Sequence, residues 1–396
     1  MTLFFVINQD PFDGSAHGLY TLRNCRALAS AAPANVVRLV YPGALSNLPA
    51  FWRTHDGVTG EEGLQCMGLS SLPNLRLHPL PALRRARGRH GLTVNAVFYW
   101  FACLFLRRRM QPGDVLATAS FPGMMRILLH RLGPIRGIRR IYEVHQLACM
   151  EHGPAAKAVR LEQAVLADAD VLLTTTEVLR DRLQKIAPGK PVTNLGLACG
   201  FAPETVAPPV LDAARPFTLA YIGSLYPEQG VQWLAGAWEQ VVERVAVPAR
   251  LKIAGGSPRE VNALRGQING RTGTVLVHGP VAPGELSGFL RDVDALVIPA
   301  LNRGRMPYVA ITKAYDYLGL NRPILAANLP SIAEVLRPER EALLFAPEDV
   351  DQLAGAVIRV RRDPGLAQTL ASQCRIRRAD FTWENRARAW WRTARP

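Results

Sequence analysis

The sequence predicts an α/β protein with two doubly wound domains, each built on a parallel sheet. Three observations support this fold class. Short apolar runs alternate with stretches of 3.6-residue periodicity. The alternation occurs in two sets, divided by an aperiodic segment rich in Pro and Ala at 200–216. The length of 396 residues exceeds what one ordinary hydrophobic core holds, and it suits two domains.

The first predicted domain covers residues 1–205. Its strands are the apolar runs at 2–8, 35–41, 114–120, 139–145 and 170–176. Helical patterns such as AKAVRLEQAVLADA lie between most of them. Continuous apolar strands separated by helices are typical of a parallel sheet that is covered on both faces.

The second predicted domain covers residues 206–380 and repeats this plan, and residues 381–396 form a separate final helix. The predicted strands are at 217–223, 249–256, 274–280, 295–300 and 322–328. Open α/β sheets bind ligands at the carboxyl ends of their strands. We therefore expect the loops after the strands to face a cleft between the two domains.

Basic residues outnumber acidic ones, with 47 Lys and Arg against 32 Asp and Glu and a net charge of +15. Most of the excess lies in residues 1–200. This half is expected to meet an anionic partner such as a phospholipid surface, a pyrophosphate-bearing acceptor or nucleic acid. The alternative is a general compositional bias towards Arg. Because no recognised nucleic-acid-binding module is present, we predict no nucleic-acid partner.

The sequence also predicts a cytoplasmic protein. Its six cysteines are scattered without a CxxC pair, which indicates reduced thiols and no zinc module. The opening residues MTLFFVINQD have the pattern of a β-strand and lack the basic region and cleavage site of a signal peptide. The most apolar segment, 91–106, is shorter than the roughly 20 residues that span a membrane, so a buried helix is predicted there.

Candidate ligand-binding residues follow the predicted strands of the first domain. A Gly-Ser-Ala-His-Gly cluster after the first strand ends in His17 and Gly18 and leads into a helix. Backbone amides at such a helix start bind phosphate groups well. His145 directly follows the strand RRIYEV. An ordinary strand–helix loop would have the same appearance, so these residues alone identify no activity.

Several segments together resemble a known family. LAYIGSLYPEQG, KIAGGSPREV and VLVHGPVAPGEL each join a strand to a glycine turn and a helix, and AITKAYDY follows at 310–317. This order resembles the C-terminal half of the GT-B glycosyltransferases, in particular the retaining enzymes of family 4. The resemblance covers the whole chain. It is strong at 217–345 and looser at 1–200, where YEVHQ and LGLACGF match the family's layout.

The resemblance implies two Rossmann-like domains that face a cleft, with the donor on the C-terminal domain and the acceptor on the N-terminal one. It implies retaining transfer of a sugar from a nucleotide diphosphate sugar, with a UDP-sugar first and a GDP-sugar next. The implied acceptor is a hydroxyl of a glycan or lipid-linked saccharide in cell-envelope or exopolysaccharide synthesis. No cofactor or metal is expected, because no Asp-x-Asp motif follows a strand.

The resemblance assigns the helix at 310–317 to the donor. Lys313 matches a lysine that would neutralise the diphosphate, helped by backbone amides near Ala310, Ile311 and Thr312. Asp316 matches a glutamate that accepts hydrogen bonds from the ribose hydroxyls. The alternative is an intrahelical Lys–Asp pair with no ligand.

Three charged residues that are common in the family's donor site are replaced in this sequence. Tyr308 stands where many members have the first residue of Glu-x7-Glu. Ser224 and Gln229 stand where most members carry an Arg-x4-Lys pair that holds the phosphates. Two alternatives to a transferase therefore stay open, a catalytically inactive binding subunit of the same fold and a sugar-nucleotide epimerase. If the protein is active, we expect three other cations to supply the charge: Lys313, Arg303 and Arg305.

In the first domain the resemblance concerns fewer residues. His145 matches a histidine that hydrogen-bonds the transferred sugar, and Gly18 matches the second glycine of a Gly-Gly loop whose first glycine is replaced by His17. Glu162 and Asp170 match a pair that we expect to be structural. The final helix resembles one that packs back on the first domain, with its tryptophans as packing residues.

The predicted site thus has two groups of residues. The predicted catalytic residues are His145, Lys313, Arg303 and Arg305. The residues predicted to bind the nucleotide sugar are His17, Gly18, Gly223, Ser224, Gln229, Gly255, His278, Val281, Tyr308, Ala310, Ile311, Thr312 and Asp316.

Basic residues also flank the apolar segment 91–106. They are Arg84, Arg85, Arg87, Arg89, Arg107, Arg108 and Arg109. Such clusters suit a peripheral contact with an anionic membrane, which would place the protein at its inner face. The alternative is a buried helix with solvated ends.

Overall fold

A computed structural model of the chain describes residues 1–13, 16–43, 60–82, 94–119, 137–152, 156–201, 214–268 and 274–394. The chain divides into two units. The N-terminal unit comprises Met1–Leu195 and Trp383–Pro396, and the C-terminal unit comprises Gly196–Thr382.

The N-terminal unit is built on a parallel sheet. Its described strands are β1 (Thr2–Val6), β2 (Val36–Gly43), β3 (Leu75–Pro81), β4 (Val115–Thr118), β5 (Arg139–Val144), β6 (Val171–Thr174) and β7 (Val192–Asn194). Their order in the sheet is β3-β2-β1-β4-β5-β6-β7. The order reverses between β1 and β4, and ligands of doubly wound sheets bind beside such a switch point.

The helices of this unit cover both faces of the sheet. Those described between its strands are α1 (Ala16–Ala31), α2 (Glu61–Cys66), α3 (Val94–Arg109), α4 (Ala148–Glu151), α5 (Lys157–Asp168) and α6 (Glu177–Ile186). Helix α3 contains much of the apolar segment predicted as a buried helix. Its residues Phe98 and Leu106 pack with Phe4 and Val6 of β1 in one core cluster. Over the described ranges, no helix has the length and apolar character needed to cross a bilayer.

The C-terminal unit repeats the architecture with a second parallel sheet. Its described strands are β8 (Phe217–Ile222), β9 (Ala249–Ala254), β10 (Val275–Val277), β11 (Ala295–Ile298), β12 (Ile324–Ala327) and β13 (Ala342–Phe345). Their order is β10-β9-β8-β11-β12-β13, so the switch point lies between β8 and β11. Two doubly wound sheets are therefore confirmed.

The described helices of the C-terminal unit are α7 (Val231–Val245), α8 (Pro258–Gln267), α9 (Leu286–Leu290), α10 (Thr312–Asp316), α11 (Pro330–Ala333), α12 (Val350–Arg362) and α13 (Pro364–Arg378). The chain then returns to the N-terminal unit as α14 (Trp383–Ala394). Trp390 of α14 is fully buried there, and Trp391 Nε1 donates to Leu28 O of α1 at 2.8 Å. The final helix thus completes the core of the first sheet.

The division between the units differs from the predicted boundary at 205/206. The segment after β7 is bonded within the C-terminal unit, because Gly200 N donates to Asp316 Oδ1 at 2.7 Å and Cys199 N donates to Phe381 O at 2.8 Å. These bonds tie the segment to the second sheet. The second division follows Thr382, slightly beyond the predicted 380/381.

Two residues predicted to be structural have buried or paired carboxylates. Glu162 of α5 is buried and accepts from the backbone amides of Ala148 and Cys149, which begin α4. Asp170 forms an ion pair with Arg140 at 2.8 Å. The first bonds connect α5 to the start of α4, and the ion pair connects the segment before β6 to β5.

Candidate active site

The switch point of the C-terminal unit is lined by glycines at the carboxyl ends of its strands. Gly223 follows β8 and its amide donates to Ala254 O, while the amide of Gly255 donates to Gly279 O. A Cβ on Gly255 would lie 2.1 Å from Gly223 O, so a side chain cannot be accommodated there. A Cβ on Gly223 would lie 2.3 Å from Lys313 Cε. The strand ends therefore approach each other closely and leave room for the lysine stem.

Lys313, the second residue of α10, is a buried cation at this switch point. Its side chain is 9% exposed. Its Nζ donates to Gln229 Oε1 at 2.8 Å and lies 5.0 Å from the centre of the Tyr221 ring. Burial lowers the pKa of Lys313 to about 8, and the nearby Asp316 carboxylate opposes this shift. Among the described residues no carboxylate forms an ion pair with the ammonium, so its charge has only neutral direct partners.

Helix α10 is held in place by the residues that follow Lys313. The Tyr317 hydroxyl donates to Ile222 O at 3.0 Å and accepts from Ile222 N at 2.8 Å, which fixes the end of the helix to β8. The half-buried Asp316 accepts from Gly200 N, so one of its oxygens already has a protein partner. Because α10 has only five residues, its dipole adds little to the field at Thr312 and the residues before it.

The switch point of the N-terminal unit carries a different cluster. His145 follows β5, and its Nε2 lies 2.9 Å from Glu143 Oε1. The rings of Tyr20 and His17, both on α1, lie 5.2 Å and 6.1 Å from that of His145. Burial and the neighbouring His145 lower the pKa of His17 to about 4. A Cβ on Gly18 would lie 2.6 Å from Pro11 O, so the start of α1 requires glycine.

Glu143 lies at the centre of this cluster and is 1% exposed. Its Oε1 accepts from the Tyr20 hydroxyl and from Arg386 Nη2, the latter at 2.6 Å. Burial alone would raise the pKa of Glu143, but Arg386, His145 and Tyr20 outweigh it and lower the pKa to about 2. Arg386 of α14 is itself buried and also donates to Asn24 Oδ1 at 2.7 Å. The carboxylate is thus ionised and fully enclosed.

The sequence of the C-terminal unit matches a known family model, described as "Glycosyl transferases group 1", over residues 216–363. The chain contains a glycosyl transferases group 1 domain. Glycogen synthase of Mycobacterium tuberculosis is 26% identical over 245 residues, which are 58% of this chain and 55% of that protein. The chain thus spans about half the length of the curated relatives it matches.

Solved structures show the fold of the whole chain. Sucrose-phosphate synthase from Thermosynechococcus elongatus superposes with a TM-score of 0.71 and 17% identity, covering 99% of this chain and 98% of that one. The Anabaena protein Alr3699/HepE, solved in complex with UDP, gives a TM-score of 0.67 with 14% identity and covers 99% of both chains. At this identity the likeness concerns the fold alone, which is the GT-B fold.

The other predicted residues of the glycosyl transferases group 1 domain lie in varied surroundings. Arg303 is exposed and forms an ion pair with Glu348 at 3.6 Å, and Arg305 is exposed. The joint action of these two arginines and Lys313 on a diphosphate stays a prediction. Among the remaining predicted residues, Ser224, Val281 and Ala310 are half-buried and Tyr308 and Ile311 are buried, and their roles stay predictions.

His278 is another residue predicted to bind the donor, and that role stays a prediction. It is exposed after β10, and its ring packs on Phe289 with centres 5.3 Å apart. Lys252 Nζ lies over the same Phe289 ring. Burial and Lys252 lower the pKa of His278. Its described contacts therefore do not include Lys313.

The structure describes only some of the arginines that are predicted to contact a membrane. Arg84, Arg85, Arg87 and Arg89 lie outside the described residues. Arg107, Arg108 and Arg109 form the last turn of α3, where basic side chains complement the helix dipole. Arg109 also lies over the Phe105 ring at 5.0 Å. At least one arginine at this end of α3 therefore packs on an aromatic ring of its own helix.

Sequence reasoning missed Tyr20, Asn24 and Arg386 as site residues. Arg386 belongs to a helix with several other arginines, and nothing in the local pattern separates a buried arginine from a solvated one. The one available signal was Glu143, a carboxylate inside an otherwise apolar strand. Because a buried carboxylate needs a cationic partner, it predicts a distant arginine without identifying which one.

Proposed function

We propose that the protein is a retaining glycosyltransferase that moves a sugar from a nucleotide diphosphate sugar to a hydroxyl of a glycan or lipid-linked saccharide. The observation that carries this proposal is the buried Lys313 at the switch point of the glycosyl transferases group 1 domain. A buried ammonium without a paired anion is costly for the protein by itself. A diphosphate beside it would neutralise that charge.

Gln229 explains how the site can work without the family's Arg-x4-Lys pair. It occupies the position of the lysine and directs its carbonyl to Lys313 Nζ at 2.8 Å. Its Nε2 is directed to Met306 Sδ at 3.9 Å, which fixes the orientation of the amide. An ammonium has three N–H donors, so Lys313 keeps others for phosphate oxygens. The cation is thus supplied by α10 and oriented by the loop.

In the proposed reaction Lys313 stabilises the charge that develops on the leaving diphosphate. The bond between the anomeric carbon and the phosphate oxygen breaks, and a bond to the acceptor oxygen forms on the same face of the sugar. The acceptor proton passes to the leaving phosphate. Asp316 accepts hydrogen bonds from the ribose through the carboxylate oxygen that does not bind Gly200. No metal is required in this scheme, because the lysine supplies the positive charge.

We propose a UDP-sugar as the first choice of donor and a GDP-sugar as the next. The fold shared with a protein solved in complex with UDP supports this order. The basic end of α3 supports an acceptor that is presented at an anionic membrane surface in the cytoplasm. Such an acceptor would suit cell-envelope or exopolysaccharide synthesis.

Two lysine variants of the same unit test the proposal. Lys313→Met and Lys252→Met each remove one buried ammonium, but Lys252 already has an ion pair with Asp292 at 2.8 Å. Binding of UDP, GDP, ADP and dTDP is measured by calorimetry and thermal shift. We expect one nucleotide to bind the wild type and Lys252→Met equally, and Lys313→Met at least about tenfold more weakly.

Equal binding by the two lysine variants would contradict the assignment of Lys313 to the diphosphate. If the wild type binds a nucleotide but turns over none of its sugars, the protein is a binding subunit with the same donor site. Interconversion of two epimeric sugar nucleotides without an acceptor would instead identify an epimerase.

A further inference from the structure

The buried network around Glu143 constrains the protonation of His145. Three donors converge on Glu143 Oε1, namely the Tyr20 hydroxyl, Arg386 Nη2 at 2.6 Å and His145 Nε2 at 2.9 Å. The Arg386 guanidinium is always protonated, and a carboxylate beside it is ionised. An ionised carboxylate only accepts hydrogen bonds, so Nε2 of His145 must carry the hydrogen that joins them.

The second nitrogen of His145 is then defined as well. When the imidazole is neutral and Nε2 carries its hydrogen, Nδ1 is an acceptor. Nδ1 makes no hydrogen bond to the described residues. The His145 side chain is 27% exposed, whereas Glu143 is fully enclosed behind it. The protein therefore bonds Nε2 of the ring, whereas Nδ1 has no hydrogen-bond partner among the described residues.

We propose that Glu143 and Arg386 are positioning residues that fix His145 in the Nε2–H tautomer, so that Nδ1 acts as the hydrogen-bond acceptor towards the sugar that the family resemblance assigns to this histidine. Arg386 acts through Glu143, because it keeps the carboxylate ionised and fixes its rotamer from α14. The sugar as ligand rests on the proposed function. The tautomer rests only on the contacts within the N-terminal unit.

A purely structural role for this network predicts different behaviour. In that case Glu143 and Arg386 would serve only to attach α14 to the sheet. Replacing both by apolar residues of similar volume would then release His145 Nε2 but leave the binding of a sugar nucleotide unchanged, since such exchanges of a buried ion pair are often neutral for folding. The double variant Glu143→Met/Arg386→Met separates the two roles.

The first measurement is the tautomer of His145. The protein is labelled with 15N at its eight histidines, and the variant His145→Asn identifies the signals of this ring. We expect the wild type to show a protonated Nε2 and a bare Nδ1. In the double variant the chemical shifts of the two nitrogens should move towards the values of a ring that interconverts between tautomers. Asp114→Asn removes another buried carboxylate, bonded to Thr2 N and Gln111 N, and it should leave the His145 signals unchanged.

The second measurement is the preference for UDP-glucose over UDP in direct binding. Loss of one well-oriented hydrogen bond should reduce this preference about tenfold in the double variant and not in Asp114→Asn. If the double variant fails to fold, Glu143→Gln keeps the volume and the bonds but removes the charge. Its His145 Nε2–H proton should exchange with water faster than in the wild type.

Wild-type nitrogen shifts in a folded double variant would overturn the proposal, and so would an unchanged exchange rate in Glu143→Gln. A changed tautomer with an unchanged preference for UDP-glucose would overturn the contact between Nδ1 and the sugar. If the wild type binds neither UDP-glucose nor UDP, the proposed function fails for this donor, while the nitrogen shifts still decide the positioning role.

Discussion

The two switch points of the molecule treat a buried charge in opposite ways. In the N-terminal unit, Glu143 has a direct cationic partner in Arg386 and further hydrogen bonds from Tyr20 and His145. In the C-terminal unit, Lys313 has Gln229 and the Tyr221 ring but no ion pair within the described residues. The first charge is paired inside its unit, whereas the second has no ion pair among the described residues, and we propose that a ligand supplies one.

This difference separates a buried charge that is paired within its own unit from one for which we propose a ligand. The pairing of Glu143 with Arg386 contributes to one fixed geometry. A charge with neutral partners has its pKa moved towards the physiological range, as for Lys313 at about 8. Effects on stability, on nucleotide binding and on turnover test this difference, from the largest expected effect to the smallest.

Arg386→Met should have the largest effect, because it leaves the Glu143 charge buried without its cation. Breaking a buried pair in this way costs about 3–5 kcal/mol in the free energy of unfolding. Urea denaturation followed by tryptophan fluorescence measures the change. Arg388→Met is the matched control on the same helix, since Arg388 is exposed and pairs with the exposed Glu384. We expect that variant to lie within about 1 kcal/mol of the wild type.

Asp316→Ala should weaken nucleotide binding by at least about tenfold, because it removes the acceptor for the ribose hydroxyls. The same substitution also leaves Gly200 N without its partner. Asp316→Asn keeps an acceptor for that amide and offers one oxygen fewer to a ribose, so it should weaken binding by an intermediate factor. Titration calorimetry measures both constants, and unchanged affinity in Asp316→Ala would contradict the donor assignment.

The pH dependence of nucleotide binding follows from the lowered pKa of Lys313. The protonated fraction of Lys313 falls as pH rises through about 8, and only the ammonium attracts a diphosphate. Affinity for UDP should therefore fall as pH rises beyond this value, approaching about tenfold per pH unit.

The other groups that face Lys313 do not explain such a change. Asp316 is a carboxylate on the same helix, Gln229 does not titrate, and burial raises the pKa of Tyr221 well above its ordinary value. Lys313→Met should bind UDP weakly and with little pH dependence over the same interval. A steep profile that persists in this variant would assign the titration to another group.

Removal of divalent metal should have the smallest effect. If Lys313 supplies the charge for the leaving group, EDTA should leave turnover with the preferred sugar nucleotide unchanged. Loss of turnover with EDTA and recovery with Mg²⁺ or Mn²⁺ would show that a cation acts where we assign the lysine.

Much of the fold was predictable because the buried strands carry a strong local signal. Runs such as LFFV in β1 and LLT in β6 are continuous and apolar, as expected when both faces of a sheet are covered. The strands missed by sequence analysis, β3, β7 and β13, all lie at sheet edges. In particular, β3 contains Pro79 and Pro81, which an edge strand tolerates and which obscure the pattern.

Candidate site residues could be predicted where they directly follow a strand, as Gly223 and His145 do, or where their segment resembles the family, as for Lys313. The bond from Lys313 to Gln229 joins residues 84 positions apart, and the bond from Arg386 to Glu143 joins residues 243 positions apart. Such pairings depend on how the elements pack, and no local periodicity encodes them.

The path of the chain has a consequence for how the protein is made. Glu143 is synthesised 243 residues before the arginine that neutralises it, and the entire C-terminal unit lies between them. The sheet that leaves the ribosome first is therefore the last to be completed, whereas all strands of the second sheet are synthesised before α14. A premature stop codon just before Trp383 would damage the half of the protein that was translated earliest, and that half would depend longest on chaperones during synthesis.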